Sequence, residues 1–240
     1  MIVEVCANSL QSALNAQKAG AHRIELCAEL GVGGITPSYG LLQKVRDAVS
    51  LPIHVLIRPR SGDFTYSEPE YEVMCRDIVN CARMGFDGVV TGVLQEDLRL
   101  DLRRTEGLMA ARGNMHFTFH RAFDWVPDPM DAFFMLENMG VDAILSSGQA
   151  ASAEAGMPLL LKLLKTSSHC TIMPGAGINA ANAMLFREKG FRAIHLSGVA
   201  LESRINVTPP LSMISPAYIT DGHVPVSQEA VIRAVVESVK

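Results

Sequence analysis

The feature that most limits how this chain can fold is an alternation of short apolar segments with amphipathic ones, repeated eight times. Each strand-like segment is followed by a helix-like one, and successive strands begin roughly 20–35 residues apart. The strand-like segments are Ile2–Ala7, His22–Ala28, Ile53–Arg58, Gly88–Thr91, Met115–His120, Asp142–Ser147, Cys170–Pro174 and Phe191–Ser197. Parallel βαβ units of this number and length predict an α/β fold, a (β/α)8 barrel of the TIM type, over an open doubly wound sheet.

Length and composition agree with one barrel domain spanning residues 1–240. The chain has 240 residues, of which 48% are hydrophobic and 19% charged, as expected for a globular protein with a sizeable core. The net charge of −4 gives no basic surface for nucleic acid or for acidic membranes. The N-terminal segment is typical of a strand and not of a signal peptide, and no apolar run is long enough to cross a bilayer.

The cysteine content indicates a reducing compartment. Five cysteines, an odd number in a chain of this length, do not form the pattern of a disulfide framework. We therefore expect a cytoplasmic protein with free thiols.

The sequence argues against two common chemistries of α/β proteins, dinucleotide binding and Schiff-base formation by a lysine. No GxGxxG pattern follows the first strand, which argues against dinucleotide binding. All six lysines fall on predicted helices or at the terminus, so no amine is available for a Schiff base. These lysines are Lys18, Lys44, Lys162, Lys165, Lys189 and Lys240.

The two-residue period of the strands predicts an unusually polar barrel interior. In the first strand, Val3 and Val5 are expected to face the helices, which leaves Glu4 and Cys6 inside. Buried charges must be paired, and the predicted interior carries both signs. Its other members are Arg23, Glu25, Cys27, His54, Leu56, Arg58, Thr118, His120, His195 and Ser197.

Reactive side chains collect at the C-terminal ends of the predicted strands. The stretch Met115–Asp124 begins as an alternating strand and ends with His120, Arg121 and Asp124. Barrels of this class have their sites at that end, so we expect the functional site there. The remaining candidates by position are Cys6, Cys27, Arg58, Arg60, Thr91, Ser146 and Ser197.

A soft-metal site is the first of three hypotheses for this end. Cys6 and Cys27 end adjacent strands, which run about 4.8 Å apart, so two thiolates can approach one ion. Thiolates favour Cu(I) or Zn²⁺. The alternative is that both cysteines are small buried apolar residues.

Acid–base catalysis on a small anionic substrate is the second hypothesis. Glu25 and His120 are the candidate proton-transfer pair. Arg58, Arg60 and Arg121 are the candidate clamp for a carboxylate or phosphate. The loops after the seventh and eighth strands match the place where this fold holds phosphate on backbone N–H groups. The further candidates for contact with the anion are Thr91, Asp124, Ser146, Gly175, Gly177 and Ser197.

A non-catalytic role is the third hypothesis, in which the barrel binds a ligand or partner. The segment Glu202–Pro225 has an irregular composition. It precedes a last helix, on one face of which we expect Val231, Ile232, Val235, Val236 and Val239. It is a candidate lid or oligomer contact. Its apolar members Leu211, Met213, Ile214 and Tyr218 can equally cover the end of the barrel.

The motifs assembled above resemble those of the CutC family, the proteins associated with copper homeostasis. The resemblance runs from the first strand almost to the end of the eighth. The motifs are EVCANS from Glu4, RIELCAELGVGGITPS from Arg23, IRPRSGDFTYSE from Ile57, GVVTGVL from Gly88, TFHRAFD from Thr118, SSGQ from Ser146 and MPGAGI from Met173.

The resemblance carries expectations about fold and function. It implies a fold like that of triosephosphate isomerase, a cytoplasmic location, a homo-oligomer that is commonly a dimer, and Cu(I) bound by cysteines. By the matching motifs these cysteines are Cys6 and Cys27. We therefore expect a copper-homeostasis protein. The alternative is an enzyme that uses Glu25 and His120 for acid–base chemistry on a phosphorylated or carboxylated metabolite.

Overall fold

All eight predicted strands are present, and they lie parallel to one another. The computed structural model describes residues 1–203, 205–207, 210–211 and 223–240. The barrel strands are β1 (Ile2–Ala7), β2 (Arg23–Leu26), β3 (Ile53–Leu56), β4 (Gly88–Thr91), β5 (His116–Phe119), β6 (Ala143–Ser146), β7 (Thr171–Pro174) and β8 (Ala193–Leu196).

The strands close into a barrel, as the sequence predicted. They are hydrogen-bonded in the order β7-β6-β5-β4-β3-β2-β1-β8. A parallel bridge between Gly175 and His195 joins the two ends of this row. Gly175 suits the junction because an added Cβ would lie 2.6 Å from Cδ1 of Leu145. The prediction of a (β/α)8 barrel is confirmed.

Over the residues that the structure describes, eight α-helices surround the barrel, and several begin at the capping residues that the sequence offers. Ser9 and Ser38 accept backbone N–H bonds at the starts of the first two helices. Ser67 and Glu70 form a capping box at the third. The helices are α1 (Leu10–Lys18), α2 (Tyr39–Ala48), α3 (Glu68–Arg83), α4 (Leu102–Ala111), α5 (Pro129–Asn138), α6 (Met157–Thr166), α7 (Ala183–Glu188) and α8 (Glu229–Ser238).

The core lies between the barrel and its helices. The outward-facing strand residues Val3, Val5, Ile24 and Leu26 are completely buried, as the alternation predicted. Full burial of one such side chain stabilises the fold by about 1.5–3 kcal/mol. The apolar shell therefore accounts for the stability of the barrel, and the interior is available for polar groups.

The segment between β8 and α8 is more regular than its composition indicates. Strands β9 (Val199–Ser203) and β10 (His223–Ser227) pair antiparallel in a separate two-stranded sheet. Pro225 lies in this small sheet, opposite Leu201. Neither of these two strands was predicted from the sequence. Of the segment's apolar members, Leu211 is exposed, whereas Met213, Ile214 and Tyr218 lie outside the described residues.

The last helix packs on the barrel through most of its predicted apolar face. Ile232, Val235 and Val236 are buried. Val231 was predicted to share that face, but it is 45% exposed. In the part of the chain that the structure describes, no helix combines the length and the apolar character needed to span a bilayer.

Candidate functional site

A cavity opens at the C-terminal ends of the strands. Its volume is about 520 Å³, enough for a small organic molecule in addition to an ion. The wall is formed by strand ends and by the loops that follow them. Its titratable residues are Cys6, Glu25, Arg58, His120, Arg121 and His195.

A thiol, a carboxylate and an imidazole meet at the floor of this cavity. Ligand atoms of Cys6, Glu25 and His195 all lie within 4.8 Å of one another. Cys6 Sγ donates to Oε1 of Glu25 at 3.4 Å and lies 3.3 Å from Sγ of Cys27. Because the Cys6 proton points to Glu25, Cys27 is the donor in the contact between the two thiols.

Strand pairing explains why these side chains meet. Cys6 is paired with Glu25 across β1 and β2, while Glu4 is paired with His195 across β1 and β8. Side chains two residues apart on a strand point to the same face, so Glu4 and Cys6 both face the interior. Barrel closure therefore brings β8 beside β1 and His195 next to the thiol.

A second buried network lies beneath the thiol and holds His195 in place. Oε1 of Glu4 is 2.8 Å from Nδ1 of His195, and its Oε2 accepts from Nε of Arg23 at 2.5 Å. Glu4 is completely buried, and Arg23 is nearly so. Because Nδ1 is bound to Glu4, Nε2 is the ring nitrogen left for a metal ion or for proton transfer.

Burial and neighbouring charges perturb the pKa values of this network strongly. Burial opposes the charge of Glu4, but Arg23 and the bond to His195 hold the pKa of its carboxyl well below the usual range. Burial also opposes the charge of His195, but Glu25, Cys6 and Glu4 raise the pKa of its imidazole well above the usual range. At neutral pH, His195 is therefore an imidazolium facing two carboxyl groups.

The pKa values of Cys6 and Glu25 are both shifted towards the neutral forms. The bond with Cys27, followed by burial, raises the pKa of the Cys6 thiol well above the usual range. Burial raises the pKa of the Glu25 carboxyl. Without a ligand, Cys6 is a thiol and Glu25 is a carboxyl group that readily accepts a proton.

Cys27 lies behind Cys6 and does not line the cavity. Its side chain is fully buried against Leu56 and Val90. Gly34, with φ +86°, passes close to it, and a Cβ there would lie 2.7 Å from Leu56 Cδ2. Between Cys27 and the cavity stands Cys6, which lines the cavity and whose Sγ lies 3.3 Å from that of Cys27.

His120 occupies the wall of the same cavity, at the end of β5. Its Nδ1 accepts the N–H of Ala122 at 3.2 Å. Burial, with help from the Arg58 charge, lowers the pKa of His120 to about 3. The contacts of His120 and Glu25 among the described residues do not join the two predicted proton-transfer partners directly, although both line the cavity.

The three candidate clamp arginines differ in position. Arg58 lines the cavity, but its guanidinium donates to the carbonyls of Val32, Gly34 and Gly62 and so holds two loops. Arg60 is engaged by Glu70, Asp63 and the Thr65 carbonyl, away from the cavity wall. Only Arg121, whose side chain is 47% exposed, lies at the rim.

Asp124 organises the rim and has no free oxygen. It accepts from Ser146 Oγ, from N–H and Oγ of Ser147, and from Nε of Arg121. Arg121 also donates to Ser147 Oγ at 3.0 Å. Asp124 and Ser146 therefore shape the rim, and the ligand-facing group among these residues is Arg121.

The other predicted anion contacts divide into two groups. Thr91 donates to the Ile57 carbonyl, and Gly175 donates to Ser146, so both serve the barrel itself. Gly177 and Ser197 line the cavity, as does Ala176, the residue before Gly177. Ala176 has a φ of +83°, a conformation that costs a non-glycine residue about 1–3 kcal/mol and is often found at functional sites.

The small sheet after β8 touches the thiol site from outside. Ser227 is completely buried and donates through Oγ to the Cys6 carbonyl at 3.2 Å. Its N–H donates to Ser12 in the first helix. The segment that the sequence left undecided is thus tied, at its C-terminal end, to the backbone of Cys6.

Three site features were missed from the sequence. His195 was predicted to face inside but was not predicted to be a site residue. Phe64 and Trp125, which come from loops, form an aromatic side of the cavity with ring centres 4.8 Å apart. The two-residue period of the strand predicts that His195 faces the interior. Its position beside Cys6 follows only from the closure of β8 on β1.

The geometry supports two kinds of chemistry. Two thiols and an imidazole can bind a soft metal ion. A raised-pKa carboxyl beside an imidazolium can move a proton. Fold and site together define a (β/α)8 barrel with a buried thiol, carboxylate and imidazole at its C-terminal face.

Comparison with known proteins gives the family. The model of the CutC family matches residues 1–200. A CutC family protein of Serratia proteamaculans is 48% identical over 195 residues, which are 81% of this chain and 77% of that protein. One from Klebsiella pneumoniae is 46% identical over 196 residues, 82% of this chain and 79% of that protein. The chain therefore belongs to the CutC family, as its motifs predicted.

Solved structures agree with this assignment. The CutC structure of Streptococcus agalactiae, which carries a copper homeostasis name, matches with a TM-score of 0.77 and 30% identity, covering 81% of this chain and 97% of that chain. A thiamine phosphate pyrophosphorylase from Pyrococcus furiosus matches with a TM-score of 0.59 over 99% of this chain and 95% of that chain. Its identity is 14%, so this second likeness concerns the fold alone.

Proposed function

We propose that this protein binds Cu(I) at the C-terminal ends of β1, β2 and β8, as part of copper homeostasis, with Cys6 as the central ligand. The observation that carries the proposal is the approach of Cys6 to Cys27 Sγ and to a nitrogen of His195 beside an open cavity. The copper homeostasis name of the Streptococcus agalactiae relative supports the same cargo.

The donor set fits a soft ion. Thiolates and imidazole are the ligands that Cu(I) prefers, whereas a carboxylate suits harder ions. A metal–thiolate bond of about 2.3 Å separates two sulfurs by about 3.8 Å in a tetrahedral site and about 4.6 Å in a linear one. The thiols, now 3.3 Å apart, need only a modest separation to accept an ion.

Glu25 has a separate role in this proposal, as the acceptor of the thiol proton. The Cys6 S–H already points to Oε1 of Glu25. Formation of the copper–sulfur bond would break the S–H bond and pass the proton to Glu25, which lines the open cavity and would release the proton to solvent. The positive charge of the ion is then balanced by the thiolate.

Anaerobic titration of Cu(I) against a competing chelator tests the proposal. Wild type is expected to bind one equivalent tightly, and Cys6→Ser is expected to lose it. Cys81→Ser is the matched control, because Cys81 is a buried thiol of α3 that does not line the cavity. Equal affinity in wild type and Cys6→Ser would contradict the proposal.

A second candidate function is acid–base catalysis on a small anionic metabolite. It is favoured by the cavity volume of about 520 Å³, which exceeds what an ion needs. Glu25 and His195 replace Glu25 and His120 as the best-placed proton-transfer groups, because Oε2 of Glu25 lies 4.0 Å from Nδ1 of His195 and the pKa values of both groups are raised. Turnover by Cys6→Ser, together with loss of turnover in Glu25→Gln, would support this candidate over copper handling.

The proposed setting is the cytoplasm, with the chain as a homodimer. Free thiols at Cys6, Cys27, Cys75, Cys81 and Cys170 support a reducing compartment. The dimer rests on the family resemblance. Sedimentation equilibrium is expected to give the mass of two chains, and the mass of one chain would contradict it.

A further inference from the structure

Three buried polar atoms on the cavity wall have no hydrogen-bond partner among the described residues. They are Nε2 of His120, Oε2 of Glu25 and Nε of Arg58. His120 and Glu25 are each 5% exposed, and Arg58 is 4% exposed. Buried polar atoms are almost always hydrogen-bonded, so three unbonded atoms on one cavity wall indicate that a ligand supplies the missing partners.

The contact of His120 with the backbone fixes which of its two ring nitrogens is a donor. Ala122 donates its N–H to Nδ1, so the neutral imidazole carries its proton on Nε2. With a pKa of about 3, the ring stays neutral across the physiological range. His120 therefore offers a single N–H donor to the cavity, and that donor requires an oxygen or another acceptor.

The charges around the cavity are predominantly positive. Arg58 and Arg121 line the wall. Glu25 is the one carboxyl group on the described part of the wall. This imbalance favours an anionic occupant.

One side of the cavity is aromatic. Phe64 lies 4.9 Å from the ring of His120 and 4.8 Å from that of Trp125, centre to centre. Trp125 is 45% exposed, although it lines the cavity. An exposed tryptophan beside a polar pocket provides an apolar wall for the carbon part of a ligand.

We infer that the cavity binds a small organic or phosphorylated acid, one oxygen of which accepts the Nε2–H of His120. The anionic group of this ligand faces Arg121, and its carbon part lies against Phe64 and Trp125. This inference rests on the second candidate function and specifies its ligand class. His120 thus polarises the ligand, and proton transfer belongs to Glu25 and His195.

The single tryptophan of the chain gives a direct measurement. Fluorescence of Trp125 is followed during titration with malonate, with inorganic phosphate and with the uncharged analogue malonamide. A saturable change in fluorescence with malonate alone identifies a carboxylate ligand. A saturable change with phosphate alone identifies a phosphorylated ligand. Either result, or both together, supports the inference. No saturable change with either anion, or equal binding of malonamide, overturns it.

Variants of His120 separate a ligand contact from a structural role. His120→Asn retains an acceptor for the Ala122 N–H but removes the ε donor, and we expect binding about tenfold weaker or more. His120→Gln places an amide donor near the ε position and is expected to bind better than His120→Asn. Unchanged affinity in a folded His120→Asn overturns the inference.

Arg121 gives a test that does not depend on the folding of a His120 variant. Arg121→Gln, on the exposed rim, is expected to weaken anion binding about tenfold relative to Arg76→Gln, an exposed control on α3. Equal affinity in these two variants overturns the inference. Anion binding is measured in the absence of copper, so failure of the copper proposal leaves this result intact. Binding is measured without turnover, so a protein that binds the anion but shows no acid–base catalysis would contradict the second candidate function and not the ligand class.

Discussion

Nδ1 of His195 lies 2.8 Å from Oε1 of Glu4, and this contact joins the last strand of the barrel to the first. Both side chains are inside the barrel, where Arg23 completes the charge balance. The arrangement resembles the carboxylate–histidine pairs that orient metal-binding imidazoles. It fixes the imidazole beside Cys6 before any ligand arrives.

Removal of the Glu4 charge should destabilise the fold. In Glu4→Gln, Arg23 and His195 stay buried without their counter-charge, and we expect a loss of about 3–5 kcal/mol in the free energy of unfolding. Urea denaturation measures it. Glu229→Gln, which breaks an exposed pair with Arg233, is the control and should cost less than about 1 kcal/mol. A Glu4→Gln protein as stable as this control would show that the network adds no stability.

The pH dependence of stability should reflect the shifted pKa values of both Glu4 and His195. The pKa of Glu4 is lowered, so its contribution is present above the unfolded-state value of about 4.3 and is lost as pH falls. The pKa of His195 is raised, so its contribution is full below about 6.5 and is lost as pH rises through the folded-state pKa.

Thermal denaturation across the pH range measures these contributions. The difference in stability between wild type and Glu4→Gln should shrink at acid pH. The difference between wild type and His195→Gln should shrink at alkaline pH. Differences that do not change with pH would contradict the assigned protonation states.

Copper affinity should rise with pH. Binding displaces a proton from Cys6, whose pKa is raised, and one from the His195 imidazolium if Nε2 becomes a ligand. We expect the association constant for Cu(I) to increase at least about tenfold per pH unit between about pH 6 and pH 8. Chelator competition at several pH values measures this slope. A flat profile would mean that Cys6 is not the ligand.

Cys6 should react slowly with iodoacetamide at neutral pH and faster as pH rises, because the thiolate is the nucleophile and its pKa is raised. Glu25→Gln should speed the reaction, since the Glu25 charge helps to raise that pKa, whereas His195→Gln should slow it. Mass spectrometry of the Cys6 peptide gives the rate, with the half-buried Cys75 as the internal reference. Rapid modification of Cys6 near neutral pH would be inconsistent with a protonated thiol.

Gly92 is required for the position of His120. A Cβ at residue 92 would lie 2.7 Å from Nδ1 and 2.8 Å from Cε1 of the His120 ring. We expect Gly92→Ala to cost about 1–3 kcal/mol and to weaken malonate binding. Gly40→Ala has open space in α2 and should instead stabilise the protein by about 0.5–1 kcal/mol. Urea denaturation of the two variants should therefore give opposite signs.

Much of the fold was predictable because it depends on local periodicity. The alternation in the first strand separates Val3 and Val5 from Glu4 and Cys6. In the structure Val3 and Val5 belong to the main hydrophobic core, whereas Cys6 lines the cavity and Glu4 bonds to Arg23 and His195. The pair β9 and β10 was missed because Pro225 argues against a strand and because the partners are far apart along the chain. Pairing between distant segments leaves little trace in local periodicity.

The site was predictable only in part, for the same reason. Cys6 and Cys27 follow from the adjacency of the first two strands. The place of His195 beside Cys6 depends on closure between the first and last strands. The engagement of Arg60 with Glu70 and Asp63 depends on a loop conformation that no strand period encodes. Trp125 reaches the cavity from a short helical turn after β5, which also lies beyond the strand pattern.

The most direct test of the copper proposal is X-ray absorption at the copper edge on protein loaded anaerobically with one equivalent of Cu(I). We expect sulfur neighbours from Cys6 and Cys27 in wild type, with one nitrogen neighbour from His195 that disappears in His195→Gln. In Cys6→Ser/Cys27→Ser the sulfur signal should vanish. A wild-type spectrum with only nitrogen and oxygen neighbours, or a sulfur signal that persists in the double variant, would contradict a copper site at these thiols.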